Sequence, residues 1–125
     1  MINLEKGHRI NLDKGLSQVG VGLGWDPNTG TGYDFDLDAS AFMLGSNGKI
    51  PAEEYLVFYN NQKSPDGSVE STGDDLTGGN SDEGDDETLN VDLTSPTFTL
   101  YSMFFLLYKR LRLTPVVPVY YRFSL

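Results

Sequence analysis

The stretch Val19-Gly20-Val21-Gly22-Leu23-Gly24-Trp25 leaves this chain few ways to fold. Apolar side chains alternate with glycines without a break, so one face is large and the other is bare. That is the period of a β-strand, and it does not fit the 3.6-residue period of a helix. The bare face predicts a place where another backbone comes close. Asp26-Pro27-Asn28-Thr29-Gly30 then reads as a turn. The same alternation of short strands and turn residues runs through most of the sequence. Ile10 and Leu12 alternate with polar neighbours, and Phe35 to Leu44 is a second strong strand that ends in Gly45-Ser46-Asn47-Gly48. Tyr55 to Tyr59 is apolar on both faces and reads as a central strand. Ser64-Pro65-Asp66-Gly67 is a further turn, residues 71–87 form a Gly/Asp/Glu loop, and Leu89, Val91 and Leu93 give a last alternating strand. The fold class this predicts is all-β, a sandwich of two antiparallel sheets.

At 125 residues the chain is one domain by length. It has no cysteine, which removes disulfides and thiolate metal sites from consideration. Residues 1–15 mix charges with scattered apolar side chains and lack the apolar stretch of a secretory signal. The longest apolar run, around Met103 to Tyr108, is far short of the roughly 20 residues that span a bilayer. The chain therefore reads as soluble. A net charge of −9 argues against nucleic acid, which calls for clustered Lys and Arg, and makes cations the natural partners.

The charge is unevenly spread. Residues 1–96 hold all 18 acidic residues and five basic ones, a balance of −13. Residues 97–125 hold no acid and four bases, Lys109, Arg110, Arg112 and Arg122, and none of the 14 glycines. Two compositions meet near Pro96. The expected division is a partial β-sandwich domain over 1–96 and an atypical apolar, basic tail over 97–125.

The sharpest chemical feature is Asp34-Phe35-Asp36-Leu37-Asp38. On an extended strand its three carboxylates share one side at roughly 6.6 Å spacing, while Phe35, Leu37, Ala39 and Ala41 face the core. At an effective dielectric near 20 that row costs on the order of 6 kcal/mol unless water screens it or a cation neutralises it. Oxygen ligands without His or Cys suit calcium or magnesium rather than zinc. A second acidic cluster, residues 73–87, intersperses Asp74, Asp75, Asp82, Glu83, Asp85, Asp86 and Glu87 with glycines. Alone it reads as a solvated loop. Beside the aspartate row it reads as the other half of a metal site.

Other motifs fail. Asp34-x-Asp36-x-Asp38 opens like an EF-hand, but Ala39 stands where glycine is required and Gly45 where glutamate is required. Gly20-x-Gly22-x-Gly24 lacks dinucleotide-site spacing and a following helix. His8, the single histidine, has no nucleophile pattern around it and reads as a surface residue. The carboxylates are too many and too regular for a glycosidase pair, and no aromatic sugar platform accompanies them. The chain reads as no enzyme.

Taken together, these residues resemble the TerD family of tellurite-resistance and general stress proteins. The resemblance rests on Asn3-Leu4-Glu5-Lys6-Gly7, Ile10-Asn11-Leu12, residues 19–26, Phe35 to Phe42, Phe58-Tyr59-Asn60, residues 64–69 and Gly84-Asp85-Asp86-Glu87, and covers residues 1–94. It implies a two-sheet sandwich that binds Ca2+ between loops at one edge. It also implies a cytoplasmic, non-enzymatic role in resistance to tellurite, chemical stress or phage. The implied partners are other Ter-type stress proteins, some of them membrane-associated. Carried over residue by residue, the implied metal ligands are Asp34, Asp36, Asp38, Asp74, Asp85, Asp86 and Glu87, with Asn60 nearby. Asp75 departs from the family's usual Asn, and the acidic loop is about two residues longer, which puts ligands within 75–83 in question. Family members continue well beyond Thr94 with sequence this tail does not match. Residues 97–125 therefore read as the product of a shifted reading frame or a truncated paralogue. The opposing reading is a divergent strand pair in which Leu100 to Leu107 supplies a core strand. Two other functions fit the same pattern: an interaction module for proteins or small ligands, and a truncated, non-functional paralogue.

Overall fold

A computed structural model describes residues 2–3, 11, 15–32, 37–79, 85–95, 102–109 and 119–124, the backbone alone for 2–3, 102–109 and 119–124. The glycine-alternating run forms β2 (Gln18–Trp25), and the run after the aspartate row forms β3 (Leu37–Leu44). Around them lie β1 (Ile2–Asn3), β4 (Leu56–Val57), β5 (Val69–Ser71), β6 (Glu87–Asp92), β7 (Ser102–Lys109) and β8 (Val119–Ser124). They build two antiparallel sheets, a five-stranded one ordered β1-β8-β2-β6-β5 and a three-stranded one ordered β4-β3-β7. The only helical element among the described residues is a single 3-10 turn, Glu53–Tyr55. The all-β expectation holds, in two open sheets with no closed barrel.

Period two decides what goes inside. Val19, Val21, Leu23 and Trp25 of β2 face Leu37, Ala39, Ala41 and Met43 of β3 in one buried cluster, completed by Val57, Val69, Leu89 and Val91. β6 pairs with β2 from Gln18↔Asp92 to Leu23↔Glu87, and β3 of the second sheet lies against β6. Burying this much apolar surface at about 25 cal/mol per Å² is what holds the layers together.

The turns fall where glycine and proline place them. Gly48 N–H donates to Gly45 O, and Gly67 N–H to Ser64 O, each at 2.9 Å. Asp66 fixes the second turn, because its Oδ1 accepts from Ser64 Oγ, Ser68 N–H and Ser68 Oγ.

One expectation is corrected. Tyr55 to Tyr59 is not a central strand: only Leu56 and Val57 pair, and β4 is an end strand of its sheet. Phe58 and Asn61 exchange backbone hydrogen bonds in a tight turn that stops the strand. The segment's apolar residues are covered in two ways instead: Val57 lies in the core cluster with Tyr55 packed against it, and Phe58 and Tyr59 pack edge to face at 5.3 Å.

Residues 97–125, set apart by composition, contribute one strand to each sheet. β7 pairs with the whole of β3, from Leu37↔Lys109 to Leu44↔Ser102, and β8 lies between β1 and β2.

Candidate metal site at the mouth of the sandwich

Three carboxylates from separate parts of the chain converge at one end of the two sheets. Asp38 is the second residue of β3, Glu87 the first of β6, and Asp74 sits in the loop after β5. One oxygen of each lies within 4.8 Å of the other two. Asp38 and Glu87 are buried, at 6% and 3% exposure, and Asp74 faces solvent. The site is thus closed on the protein side and open on the other.

The strand period places Glu87 here. Along β6, Glu87, Leu89 and Val91 point inward, so the carboxylate stands at the end of the row that fills the core. Its oxygens are held from two directions. Ala39 N–H of the opposite sheet donates to Oε2 at 2.8 Å, and Asp75 N–H donates to Oε1 at 3.2 Å. β4 pairs with β3 only at Ala41 and Phe42, and beyond that short partner Glu87 takes the Ala39 donor. Glu87 is therefore a link between the two sheets.

Burial pushes the Glu87 carboxyl up to about 7, and the charges of Asp38 and Asp74 push the same way, against the two N–H donors. Desolvation and like charge both disfavour the ionised form. Three carboxylates at 4.8 Å repel by about 3.5 kcal/mol per pair at an effective dielectric near 20, or about 10 kcal/mol in all. A whole domain is stabilised by about 5–15 kcal/mol. Such a cluster calls for a proton or a cation.

The donor set fits a hard divalent cation. It is all carboxylate oxygen, with no imidazole or thiolate. Calcium holds its oxygens at about 2.3–2.6 Å, so two ligands on opposite sides of it stand about 4.6–5.2 Å apart, which a 4.8 Å triangle accommodates.

The loop that brings Asp74 is pinned to β2. Asp86 N–H donates to Leu23 O and Trp25 N–H donates to Asp86 Oδ2, both at 2.8 Å, so the chain before β6 continues the β2 ladder. Gly79 N–H donates to Trp25 O at 3.1 Å. Gly78, at φ 75°, lies so close to the indole that a methyl there would overlap it. Gly22 makes room for a side chain: the Asp85 carboxylate occupies the space its Cβ would take. The bare face of β2 does receive a close neighbour, and at Gly22 it is the Asp85 side chain.

The predicted site residues are distributed as follows. Asp38, Asp74 and Glu87 come together. Asp85 is half-buried over Gly22 and Asp86 is half-buried against β2. Asn60 is exposed in the tight turn between Phe58 and Asn61. Asp34 and Asp36, with Phe35, Asp82 and Glu83, lie outside the described residues. Within those residues, therefore, the aspartate row contributes Asp38, and its partners come from β6 and the loop. Asp75 has a part that ligand reasoning did not assign. Its Oδ1 accepts from Thr77 N–H and Gly78 N–H at 2.9 Å each, and from Thr77 Oγ1 at 3.4 Å. An Asp followed by Thr two residues on and Gly three residues on is a legible signature of such a turn.

A model of the TerD domain matches residues 1–107. A tellurium resistance protein TerD of an Alcaligenes species is 50% identical over 95 residues, covering 74% of this chain and 48% of that protein. Its namesake in Serratia marcescens is 45% identical over 95 residues, with the same coverage. General stress protein 16U of Bacillus subtilis is 43% identical over 98 residues, covering 75% of this chain and 50% of that protein. The chain spans about half the length of these curated relatives.

Proposed function

The chain belongs to the TerD domain family, and on that premise we propose that it is a non-enzymatic stress-response protein of the tellurite-resistance type that binds calcium at the mouth of its sandwich. The observation that carries the reading is the triangle of Asp38, Asp74 and Glu87 oxygens within 4.8 Å, two of the three residues buried. These three would hold the ion. Asp34, Asp36, Asn60, Asp85 and Asp86 join the proposal on the family resemblance alone. Calcium would neutralise the cluster and tie the loop after β5 to both sheets, and the reading assigns these residues no chemical step. A cytoplasmic location and association with other Ter-type proteins belong to the same proposal.

The test uses the single tryptophan, which lies buried beneath the loop. Adding calcium to chelator-treated protein is expected to change Trp25 fluorescence saturably and to raise the melting temperature. Magnesium, which demands tighter octahedral geometry and gives up water reluctantly, is expected to act more weakly. Identical melting curves in calcium and in chelator would overturn the reading.

A further inference from the structure

We propose that Asp75 is a positioning residue for the ion and not one of its ligands: it folds the loop so that its own N–H aligns the Glu87 carboxylate. This rests on the calcium reading above and deepens it. The group of oxygens within 4.8 Å is formed by Asp38, Asp74 and Glu87, whereas Asp75 Oδ1 receives three donors from Thr77 and Gly78. An acceptor used this way closes a turn over residues 75–78. The turn then sets Gly78 and Gly79 against Trp25, with Gly79 N–H on Trp25 O. At its other end the turn aims Asp75 N–H at Glu87 Oε1, while Ala39 N–H holds Oε2. With a donor on each oxygen, one from each side of the site, the carboxylate is held in a single orientation. Neighbouring Asp74 and Asp75 thus divide the work: Asp74 offers its charge to the ion, and Asp75 shapes the backbone that presents it. Groups that orient a metal ligand in this way commonly change affinity by about 10- to 100-fold when removed.

The prediction separates shape from charge. Asp75→Asn keeps the Oδ1 acceptor and loses the charge, whereas Asp75→Ala loses both. In calcium titrations of the full chain by calorimetry, Asp75→Ala is expected to weaken binding about 10- to 100-fold and Asp75→Asn to restore most of it. Asp74→Asn, which removes a ligand, should weaken binding with no comparable rescue. Asp75→Asn falling as far as Asp74→Asn would make Asp75 a ligand and overturn the proposal. Asp75→Ala that lowers the melting temperature while leaving affinity unchanged would reduce the residue to a structural role and overturn it equally. Amide hydrogen exchange in chelator supplies a readout independent of calcium. The amide at position 75 should lose protection in Asp75→Ala and keep it in Asp75→Asn, and protection unchanged in both would also refute the proposal. Failure of the wild-type chain to bind calcium would sink the reading beneath, while the exchange result would still decide whether Asp75 holds the loop.

Discussion

Replacing Glu87 by Gln should leave the protein's stability close to wild type without calcium and lower it when calcium is present. Folded, Glu87 releases its proton near pH 7 because it is buried beside Asp38 and Asp74, against an ordinary 4.5. A carboxyl raised in this way contributes stability that is fully present below pH 4.5 and is lost as pH rises through 7. At pH 8, without divalent ions, that loss amounts to up to about 3 kcal/mol, or about 1–2 kcal/mol once water at the rim screens it. Glu87→Gln removes the pH-dependent loss. It keeps one carbonyl for Ala39 or Asp75 but turns its NH2 towards the other donor, at a cost of about 1–3 kcal/mol. The two effects nearly cancel, so the variant in chelator at pH 8 should melt close to wild type, with a flatter pH profile between 5 and 8. Calcium breaks the symmetry. At a hundredfold excess over its dissociation constant it adds about 2.7 kcal/mol to the wild type. For 125 residues that is about 10 °C, since unfolding entropy runs near 2.1 cal/mol/K per residue. A tenfold to hundredfold loss of affinity in the variant cuts the gain to about 0.4–1.4 kcal/mol, or about 2–5 °C. Scanning calorimetry at pH 5, 6.5 and 8, each with chelator and with calcium, reads each effect separately. A variant that keeps the wild-type calcium shift and the wild-type pH slope would refute the reasoning.

Three further outcomes follow from the same geometry. Calcium affinity should fall about tenfold per pH unit below 7 as a proton competes for Glu87, measured by titration calorimetry at pH 5.5 and 7.5; a flat profile would remove Glu87 from the site. Gly78→Ala should destabilise the chain by about 1–3 kcal/mol, because φ 75° strains any Cβ and the indole of Trp25 already fills the space; urea unfolding followed by Trp25 emission reports both effects. Asp66→Ala should cost about 2–3 kcal/mol, since it strands the buried Ser64 and Ser68 hydroxyls that donate to Oδ1; urea unfolding that matches wild type would show the turn to be held elsewhere.

Much of the fold was legible because side-chain period is a geometric property of the strand itself. Val19 to Trp25 places every large side chain on one face, Leu37, Ala39, Ala41 and Met43 share a face of β3, and those faces form the core. The turns at Gly45–Gly48 and Ser64–Gly67 were equally plain, each marked by residues whose backbone freedom is unusual. Tyr55 to Tyr59 misled because apolar residues on both sides of a segment show that both sides are covered, not by what. There Val57 and Tyr55 are covered by the core, while Phe58 and Tyr59 pack on each other where a tight turn stops the strand. Composition set residues 97–125 apart, yet β7 pairs with β3 over eight residues, since strand pairing requires only backbone donors and acceptors.

The site was legible in its chemistry and less so in its membership, and the reason is physical. Alternation along Asp34 to Asp38 can tell that three carboxylates share a side, because roughly 6.6 Å repeats are local. It cannot tell which of them meets a residue far along the chain. That meeting depends on β6 beginning at Glu87, so that an acidic residue takes the inward phase occupied next by Leu89 and Val91. Read by itself, Glu87 is the last residue of an acidic loop; read in phase with Leu89 and Val91, it is the first residue of the core. A carboxylate on a core phase at a strand terminus must find donors or a cation, because only the end of the sheet lets it reach them without opening the interior. In this chain Ala39 and Asp75 provide the donors, and Asp38 and Asp74 provide the excess negative charge that a proton or a cation would offset. A single polar residue on the inward phase of an otherwise apolar strand is therefore the signal to seek when locating sites of this kind. Here it would have singled out Glu87 ahead of the more conspicuous aspartate row.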